Sequence, residues 1–268
     1  MALPAPRPGA TAVVTGASSG IGAEIARGLA RRGHAVTLTA RREERLLELA
    51  SELGDEHGVR AGVVSSDLAS RNGREALAAE LERLELEVDI LVNNAGFGYH
   101  GDFVEADRER QVEMVALNCE AVVDLSGRYL PGMIDRSAGA VINIASLASF
   151  QPLPGNATYA ASKAFVLSFS EAVHAELSGT GVTLTAVCPG PVRTEFAERA
   201  GIGGAEERTP GILWMSAEDI AEEAIRAAEK GRRSVVPGVL NQAGSLVGRH
   251  SPRTLALPLT KRLWKQVQ

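Results

Sequence analysis

The sequence predicts a three-layer α/β fold: a seven-stranded parallel sheet with helices on both faces, in one domain spanning residues 1–268. Three observations carry this. Short apolar or β-branched runs recur along the chain, stretches with helical spacing separate them, and the runs are continuously hydrophobic instead of alternating. Continuous hydrophobicity means burial on both faces, as in a parallel sheet covered by helices, whereas a half-solvated strand alternates. The economical arrangement is a doubly wound, Rossmann-type sheet.

In chain order the strand runs are "TAVVT" (11–15), "AVTLTA" (35–40), "VRAGVV" (59–64), "VDILVN" (88–93), "AVINIA" (140–145), "VTLTAV" (182–187) and "SVVP" (234–237). The first helix follows from "IGAEIARGLARRG", where Ile21, Ile25 and Leu29 share one face. Further helices follow from "ERLLELASEL", "REALAAELERL" and "AIRAAEKG", several closed by glycine or a basic last turn, and another is expected over 157–178. That helix is expected to pack through Phe165, Phe169 and Val173. No tandem repeat, low-complexity tract or linker divides the chain. Residues 190–216 read as a long irregular insertion of the kind that forms a substrate loop or lid, and residues 238–268 as a basic C-terminal extension.

With 45% apolar and 23% charged residues, the composition is that of an ordinary soluble globular protein. The opening "MALPAPRPGA" has three prolines and no apolar run of signal-peptide length, so neither a signal peptide nor a membrane span is expected, and the cytoplasm is the expected compartment. Cys119 and Cys188 form no CxxC pair, and the five histidines have no metal-ligand spacing, so reduced thiols and no metal are expected. The net charge of −5 is uneven: residues 231–268 hold seven bases and no acid, which leaves −12 on residues 1–230. A solvated basic face is the simpler reading of that tail. Its mixture of bases with Leu246, Val247, Leu255, Leu257, Leu259, Leu263 and Trp264 also suits a membrane surface, but Pro252 and Pro258 interrupt it, so peripheral membrane contact is the less favoured reading. No nucleic-acid partner is expected.

The first strand runs straight into "TGASSGIG", which places Gly16, Gly20 and Gly22 in a turn and the first helical turn. Glycine there lets backbone approach a pyrophosphate closely, and N–H groups at a helix start attract negative charge. The spacing is GxxxGxG, and its position after the first strand is what favours a dinucleotide over a merely tight turn. At the end of the second strand stands "TARREER". An acid at that place would grip a ribose 2′-hydroxyl, whereas Arg41 and Arg42 suit a 2′-phosphate, with Ser18 as a second contact, so NADP(H) is preferred over NAD(H). Two arginines at the positive end of a helix dipole also favour an anion beside them. Asp67, in "SSDLAS" with Leu68, suits either a helix cap or a hydrogen bond to an adenine amino group. "NNAG" (93–96) offers two amides that tie loops together, then small residues against which a cofactor can lie.

These motifs, continued through Asn118, Ser146, "YAASK" and "CPGPVRT", resemble the single-domain short-chain dehydrogenases/reductases over nearly the whole chain. The resemblance implies a seven-stranded Rossmann fold, a nicotinamide cofactor, and a catalytic set of Asn118, Ser146, Tyr159 and Lys163. It likens Pro189, Gly190, Val192 and Thr194 to a cofactor-covering segment and the insertion behind them to a substrate loop. The expected cofactor set then comprises Gly16, Ser18, Ser19, Gly20 and Ile21, Arg41 and Arg42, Asp67 and Leu68, Asn94, Ala95 and Gly96, Tyr159 and Lys163, and the segment just named. The resemblance also implies a homodimer or homotetramer joined through the long helices around Asn118 and Tyr159.

An unperturbed phenol has a pKa of about 10 and is a poor acid near neutrality. Tyr159 and Lys163, four apart on a helix, share a face, so the ammonium, with the positive nicotinamide ring of the oxidised cofactor adding to it, is expected to lower the phenol pKa, and Lys163 also to hold the nicotinamide ribose. Ser146, after the fifth strand, is expected to bond the substrate oxygen, and the resemblance gives Asn118 a water in a proton relay. The expected reaction interconverts a carbonyl compound and its alcohol by hydride transfer, with Tyr159 as acid and base. Phe150, Phe196, Ile202, Ile212, Leu213, Trp214 and Met215 are expected to wall a lipophilic pocket. A 3-oxoacyl-carrier-protein-type reductase, with the basic tail receiving an acidic carrier, is the enzymatic alternative. A dinucleotide-sensing protein without activity is the non-enzymatic one, against which the intact catalytic four argue.

Overall fold

The computed structural model describes residues 3–196, 200, 211–251, 254, 257 and 258. The tail residues Leu255, Leu259, Leu263 and Trp264, and Ile202 in the insertion, lie outside the described residues. Strands β1 (Ala10–Thr15), β2 (Val36–Ala40), β3 (Ala61–Ser65), β4 (Glu87–Asn93), β5 (Gly139–Ile144), β6 (Val182–Val187) and β7 (Ser234–Val235) form one sheet in the order β3-β2-β1-β4-β5-β6-β7. Every pairing is parallel. Each strand run read from the sequence lies within two residues of an observed strand. All residues of β1, β5 and β6 are buried, which is the physical content of their unbroken hydrophobicity.

Adjacent strand residues face opposite layers. Ala12 and Val14 pack with Ile25 and Leu29 of α1 (Gly20–Ala30), Leu46 and Leu53 of α2 (Glu43–His57), and Ile220 and Ile225 of α7 (Ala217–Glu229). Val13 between them packs with Leu77 of α3 (Arg71–Arg83) and Leu125 of α5 (Ala121–Asp135). Val166 and Leu167 of α6 (Ala157–Glu176) cover β6 through Ala186. The sheet is wound outward from β1 in both directions, so the β1 and β4 carboxyl ends diverge and leave a crevice, the place where open α/β sheets bind ligands.

The helical layer departs from the sequence expectation at three places. First, α4 (Arg108–Val115) and α5 are one helical rod interrupted by a π-helical turn, Ala116–Glu120, that carries Asn118. Second, Asp67 does not cap α3. Ser70 does, accepting Gly73 N–H at 3.0 Å, while Asp67 Oδ1 accepts Ala69 N–H at 3.1 Å in the preceding turn. Ser70, the nearer side-chain acceptor to the helix start, takes the role. Third, Phe165 does not face the core. It is 42% exposed and stacks on Phe169 with ring centroids 5.9 Å apart, whereas Phe169 and Val173 do pack inward. The C-terminal extension begins as a helix, α8 (Val239–His250), and among the described residues no helix is long and apolar enough to cross a membrane.

A buried polar ladder joins β4, β5 and α6 behind the crevice. Asn93 Nδ2 donates to Asn143 Oδ1 at 2.9 Å and to Ser126 Oγ at 3.2 Å, and Asn143 Nδ2 donates to Ser170 Oγ at 2.9 Å. Such groups contribute little while paired and cost much once one partner is lost. Replacing Asn143 by alanine removes one partner each from Asn93, which keeps Ser126, and Ser170, which keeps Val166 O, and should reduce unfolding free energy by about 1–3 kcal/mol in urea titration. An unchanged midpoint and slope would show that the ladder carries no stability.

Candidate active site

A cleft of about 1440 Å³ opens at the carboxyl ends of β1, β4, β5 and β6. Its floor begins where β1 turns into α1. Gly16 has φ +66° there, and a Cβ on it would come within 2.8 Å of Asn94 Nδ2 and 2.9 Å of the Ala95 Cα. Glycine is required both for the left-handed conformation and for the close approach of the two loops. The loops are tied by Asn94 Nδ2, which donates to Thr15 O at 2.9 Å, and by Thr15 Oγ1, which accepts the Asn94 and Ala95 N–H groups at 2.9 Å each. At the start of α1, the Ser19 side chain makes no capping bond and the first turn has no acid. A helix start built this way is suited to an anion, because the N–H groups and the dipole both favour negative charge.

Beyond this turn two arginines line the cleft. Arg42, the N-terminal flanking residue of α2, donates from Nη2 to Ser18 Oγ at 3.0 Å and to Ser19 Oγ at 2.8 Å, and from Nη1 to Glu195 Oε2 at 3.0 Å. Arg41, more exposed, reaches Glu113 at 3.4 Å. Guanidiniums and hydroxyls converging beside an uncapped helix start suit a phosphorylated ribose attached to a pyrophosphate. Asp67 and Leu68 line the same end of the cleft, and Ala95 and Gly96 continue its floor. Ile21, Pro189, Gly190, Val192 and Thr194 line it as well, so the expected cofactor residues converge on one cavity.

At the other end stand the four expected catalytic residues. Ser146 stands two residues beyond the end of β5, and its Oγ accepts Ala148 N–H at 3.1 Å, which leaves its own proton for another acceptor. Tyr159 lies in the first turn of α6, with the Ser146 side chain beside its phenol. Lys163, one turn later, is 5% exposed, and its Nζ donates to Ile144 O at 2.8 Å. Asn118 is engaged at both ends of its amide. Oδ1 accepts Phe97 N–H at 3.2 Å, and Nδ2 donates to Phe97 O at 3.1 Å and to Ser162 Oγ at 3.0 Å. It therefore holds the "NNAG" loop to α6 and does not line the cleft. Gly96 packs against it, since a Cβ there would come within 2.8 Å of Asn118 Oδ1 and 3.5 Å of Lys163 Nζ.

The electrostatics correct one expectation. Lys163 does not draw the phenol downward in this arrangement. Burial pushes the Tyr159 phenol above its ordinary value, and the Ser146 side chain opposes only part of that. The ammonium lies 6.0 Å from the ring centroid and is directed onto a backbone carbonyl, so its field does not offset desolvation. The ammonium is itself affected: burial lowers its pKa to about 8.

The mouth of the cleft is apolar, with Leu147, Leu153, Phe196 and Trp214 around Tyr159, and the Phe196 ring is 5.6 Å from that of Tyr159. Of the expected pocket residues, Phe196 and Trp214 line the cleft, Ile212 is exposed, and Phe150 and Met215 pack against the core. The ends of the insertion are zipped together by a bridge between Val192 and Met215, with Arg193 N–H bonded to Met215 O at 3.2 Å. α8 buttresses this segment, because Gly190 lies so close to Asn241 that a Cβ would come within 2.6 Å of its amide. Leu153 and Asn156, also at the mouth, were not expected from the sequence; the one signal for them is the turn-rich "QPLPGN" leading into the tyrosine helix.

Residues 10–202 match the family model described as short chain dehydrogenase. The NADP-dependent 3-hydroxy acid dehydrogenase YdfG of Escherichia coli is 37% identical over 218 residues, covering 78% of this chain and 85% of that protein. A very-long-chain 3-oxoacyl-CoA reductase of Anas platyrhynchos is 38% identical over 227 residues, covering 76% and 72%. Among solved structures, a short-chain dehydrogenase from Sphingobium yanoikuyae in complex with NADPH superposes with a TM-score of 0.79 at 35% identity, covering 89% of this chain and 92% of that one.

The Lys163 geometry has a direct readout. Its folded pKa of about 8 lies below the ordinary lysine value of 10.5, so the burial penalty is fully present below pH 8 and is relieved as the pH rises toward 10.5. In lysine-labelled protein the Lys163 ε-methylene resonance should titrate near pH 8, and wild type should gain stability relative to Lys163→Met across that window. Titration at the ordinary value would contradict the buried environment.

Proposed function

The chain belongs to the short-chain dehydrogenase/reductase family, and from that premise we propose that it is an NADP(H)-dependent oxidoreductase that reduces a lipophilic ketone or aldehyde to its alcohol. The observation that carries this reading is the convergence on one cleft of an arginine- and hydroxyl-lined phosphate end and a serine–tyrosine–lysine end whose lysine is buried. Bound NADP(H) supplies the hydride. Arg42, Ser18 and Ser19 would hold its 2′-phosphate, and the Gly16–Gly20 turn with the α1 amino end its pyrophosphate. The NADP(H) choice is also supported by the NADPH bound to the Sphingobium protein and by the NADP dependence of the Escherichia coli relative.

In this proposal the substrate carbonyl oxygen accepts hydrogen bonds from Ser146 Oγ and Tyr159 Oη, which orient it and stabilise the charge that develops on it. As the carbon is reduced, the oxygen becomes alkoxide-like, and Tyr159 gives it a proton. An alkoxide is a stronger base than a phenolate, so the transfer is favourable even from a phenol held above its ordinary pKa. Carbonyl reduction is thus the direction suited to neutral pH, and alcohol oxidation, which needs the phenolate, is the direction favoured at alkaline pH. Lys163 keeps a positive charge beneath the site and anchors the tyrosine helix. Asn118 acts as a positioning residue, through the Phe97 loop and Ser162.

Leu147, Leu153, Phe196 and Trp214 favour an apolar substrate body. A 3-oxoacyl substrate is the second reading, favoured by the names of two relatives. A homo-oligomer is proposed through the helices around Asn118 and Tyr159, where Val112, Val115, Val123 and Phe165 are exposed. The test of the function is Tyr159→Phe assayed with NADPH and NADH against a carbonyl panel including 3-oxoacyl thioesters. NADPH affinity should persist while turnover falls about 10²- to 10⁴-fold; a variant turning over near the wild-type rate would overturn the assignment.

A further inference from the structure

One acid is shared by Arg42, beside the phosphate turn, and Arg45 of the following helical turn. Glu195 Oε2 accepts from Arg42 Nη1 at 3.0 Å, and Oε1 accepts from Arg45 Nη1 at 2.5 Å. The remaining Arg42 donors reach Ser18 and Ser19. Glu195 is held in place by its neighbours in the chain. Thr194 lies on the phosphate turn, where a Cβ on Gly20 would come within 3.1 Å of its methyl, and Phe196 lies against Tyr159. The carboxyl is held below the usual carboxylate range, chiefly by its hydrogen bond from Arg45. It is therefore an anion seated on the donors that an adenosine 2′-phosphate would use.

We propose that Glu195 is an internal competitor for the cofactor 2′-phosphate, exchanged for it at Arg42 when the phosphorylated cofactor binds, with Arg45 left to hold the displaced carboxylate. This rests on the NADP(H) reading above. A phosphate monoester brings three acceptor oxygens and up to two negative charges against the two oxygens and single charge of a carboxylate, so the exchange is downhill. Part of the gain is nevertheless spent in displacing Glu195, and the displaced carboxylate then lies near the phosphate and opposes it. NAD(H), with a neutral 2′-hydroxyl, has no reason to displace it. Glu195 thereby acts as a specificity-determining residue that holds NADP(H) affinity below what the arginines alone would give, which speeds release of the spent cofactor, often the slow step of such enzymes.

The test is the affinity of Glu195→Gln, measured by calorimetry, for adenosine 2′,5′-bisphosphate and NADPH, with 5′-AMP and NADH as references. Glutamine keeps the shape and removes the charge. The two 2′-phosphorylated ligands should bind about 3- to 10-fold more tightly than to wild type, the scale of one or two partly exposed ion pairs, while the two references stay unchanged. Glu195→Ala should shift the same way, which separates loss of charge from any new contact by the amide. Equal or weaker bisphosphate binding in both variants, or an equal gain for 5′-AMP, overturns the inference while leaving the NADP(H) reading intact. Wild-type protein that holds the bisphosphate no more tightly than 5′-AMP overturns both.

Discussion

The site depends on one buried ammonium. Lys163 Nζ is bonded to Ile144 O, the last carbonyl of β5, and so fixes the first turns of α6 to the strand end that carries Ser146. The rest of the catalytic geometry follows from this bond. Ser149 Oγ donates to Lys163 O at 2.8 Å and completes the capping box that sets Ser146, while Ser162, next to Lys163, receives the Asn118 amide. Gly96 is packed beneath both, so the cofactor floor and the tyrosine helix are referenced to the same atom. A charge so placed is costly, since a single carbonyl replaces much of its hydration, and the lowered pKa of Lys163 measures that cost. The chain tolerates it where the chemistry needs a cation under a phenol.

Much of the fold was legible because parallel strands buried on both faces leave a coarse signal, and "TGASSGIG" after the first of them fixes where the crevice opens. The residues expected to hold the cofactor meet in one cleft for a related reason: turn glycines, a pair of arginines and small residues each answer to a local steric or charge requirement. What depends on tertiary distance was not. Four residues of separation between Tyr159 and Lys163 correctly predicts a shared face but not that the ammonium turns onto a carbonyl, so the direction of the phenol shift was misjudged. Asp67 lost its cap to Ser70 within three residues, a choice below the resolution of sequence pattern. Glu195 carried no signal at all, because its partners are more than a hundred residues away in the chain.

Asn118 shows the same division between type and role. A π-helical turn, Ala116–Glu120, carries it directly before α5, and such turns recur at functional sites. Its side chain is spent on Phe97 and Ser162, so its contribution is to hold two loops in register. The cleft thus divides into an arginine-lined end built from turns and an end built from a strand terminus and a helix, joined by a loop that Asn94 and Asn118 pin from opposite sides. In the proposed reading, phosphate recognition and proton transfer would be placed at fixed separation without sharing residues.

The central claim is that a carbonyl compound is reduced in this cleft by hydride from NADPH and a proton from Tyr159. It is tested most directly with NADPH deuterated at the nicotinamide C4 position, purified protein and a panel of lipophilic ketones, with the products read by mass spectrometry. The account predicts one deuterium on the carbinol carbon of the alcohol formed by wild type, and none formed at a comparable rate by Tyr159→Phe. NADPH bound in the cleft with no labelled alcohol from any ketone, aldehyde or 3-oxoacyl compound offered would contradict it.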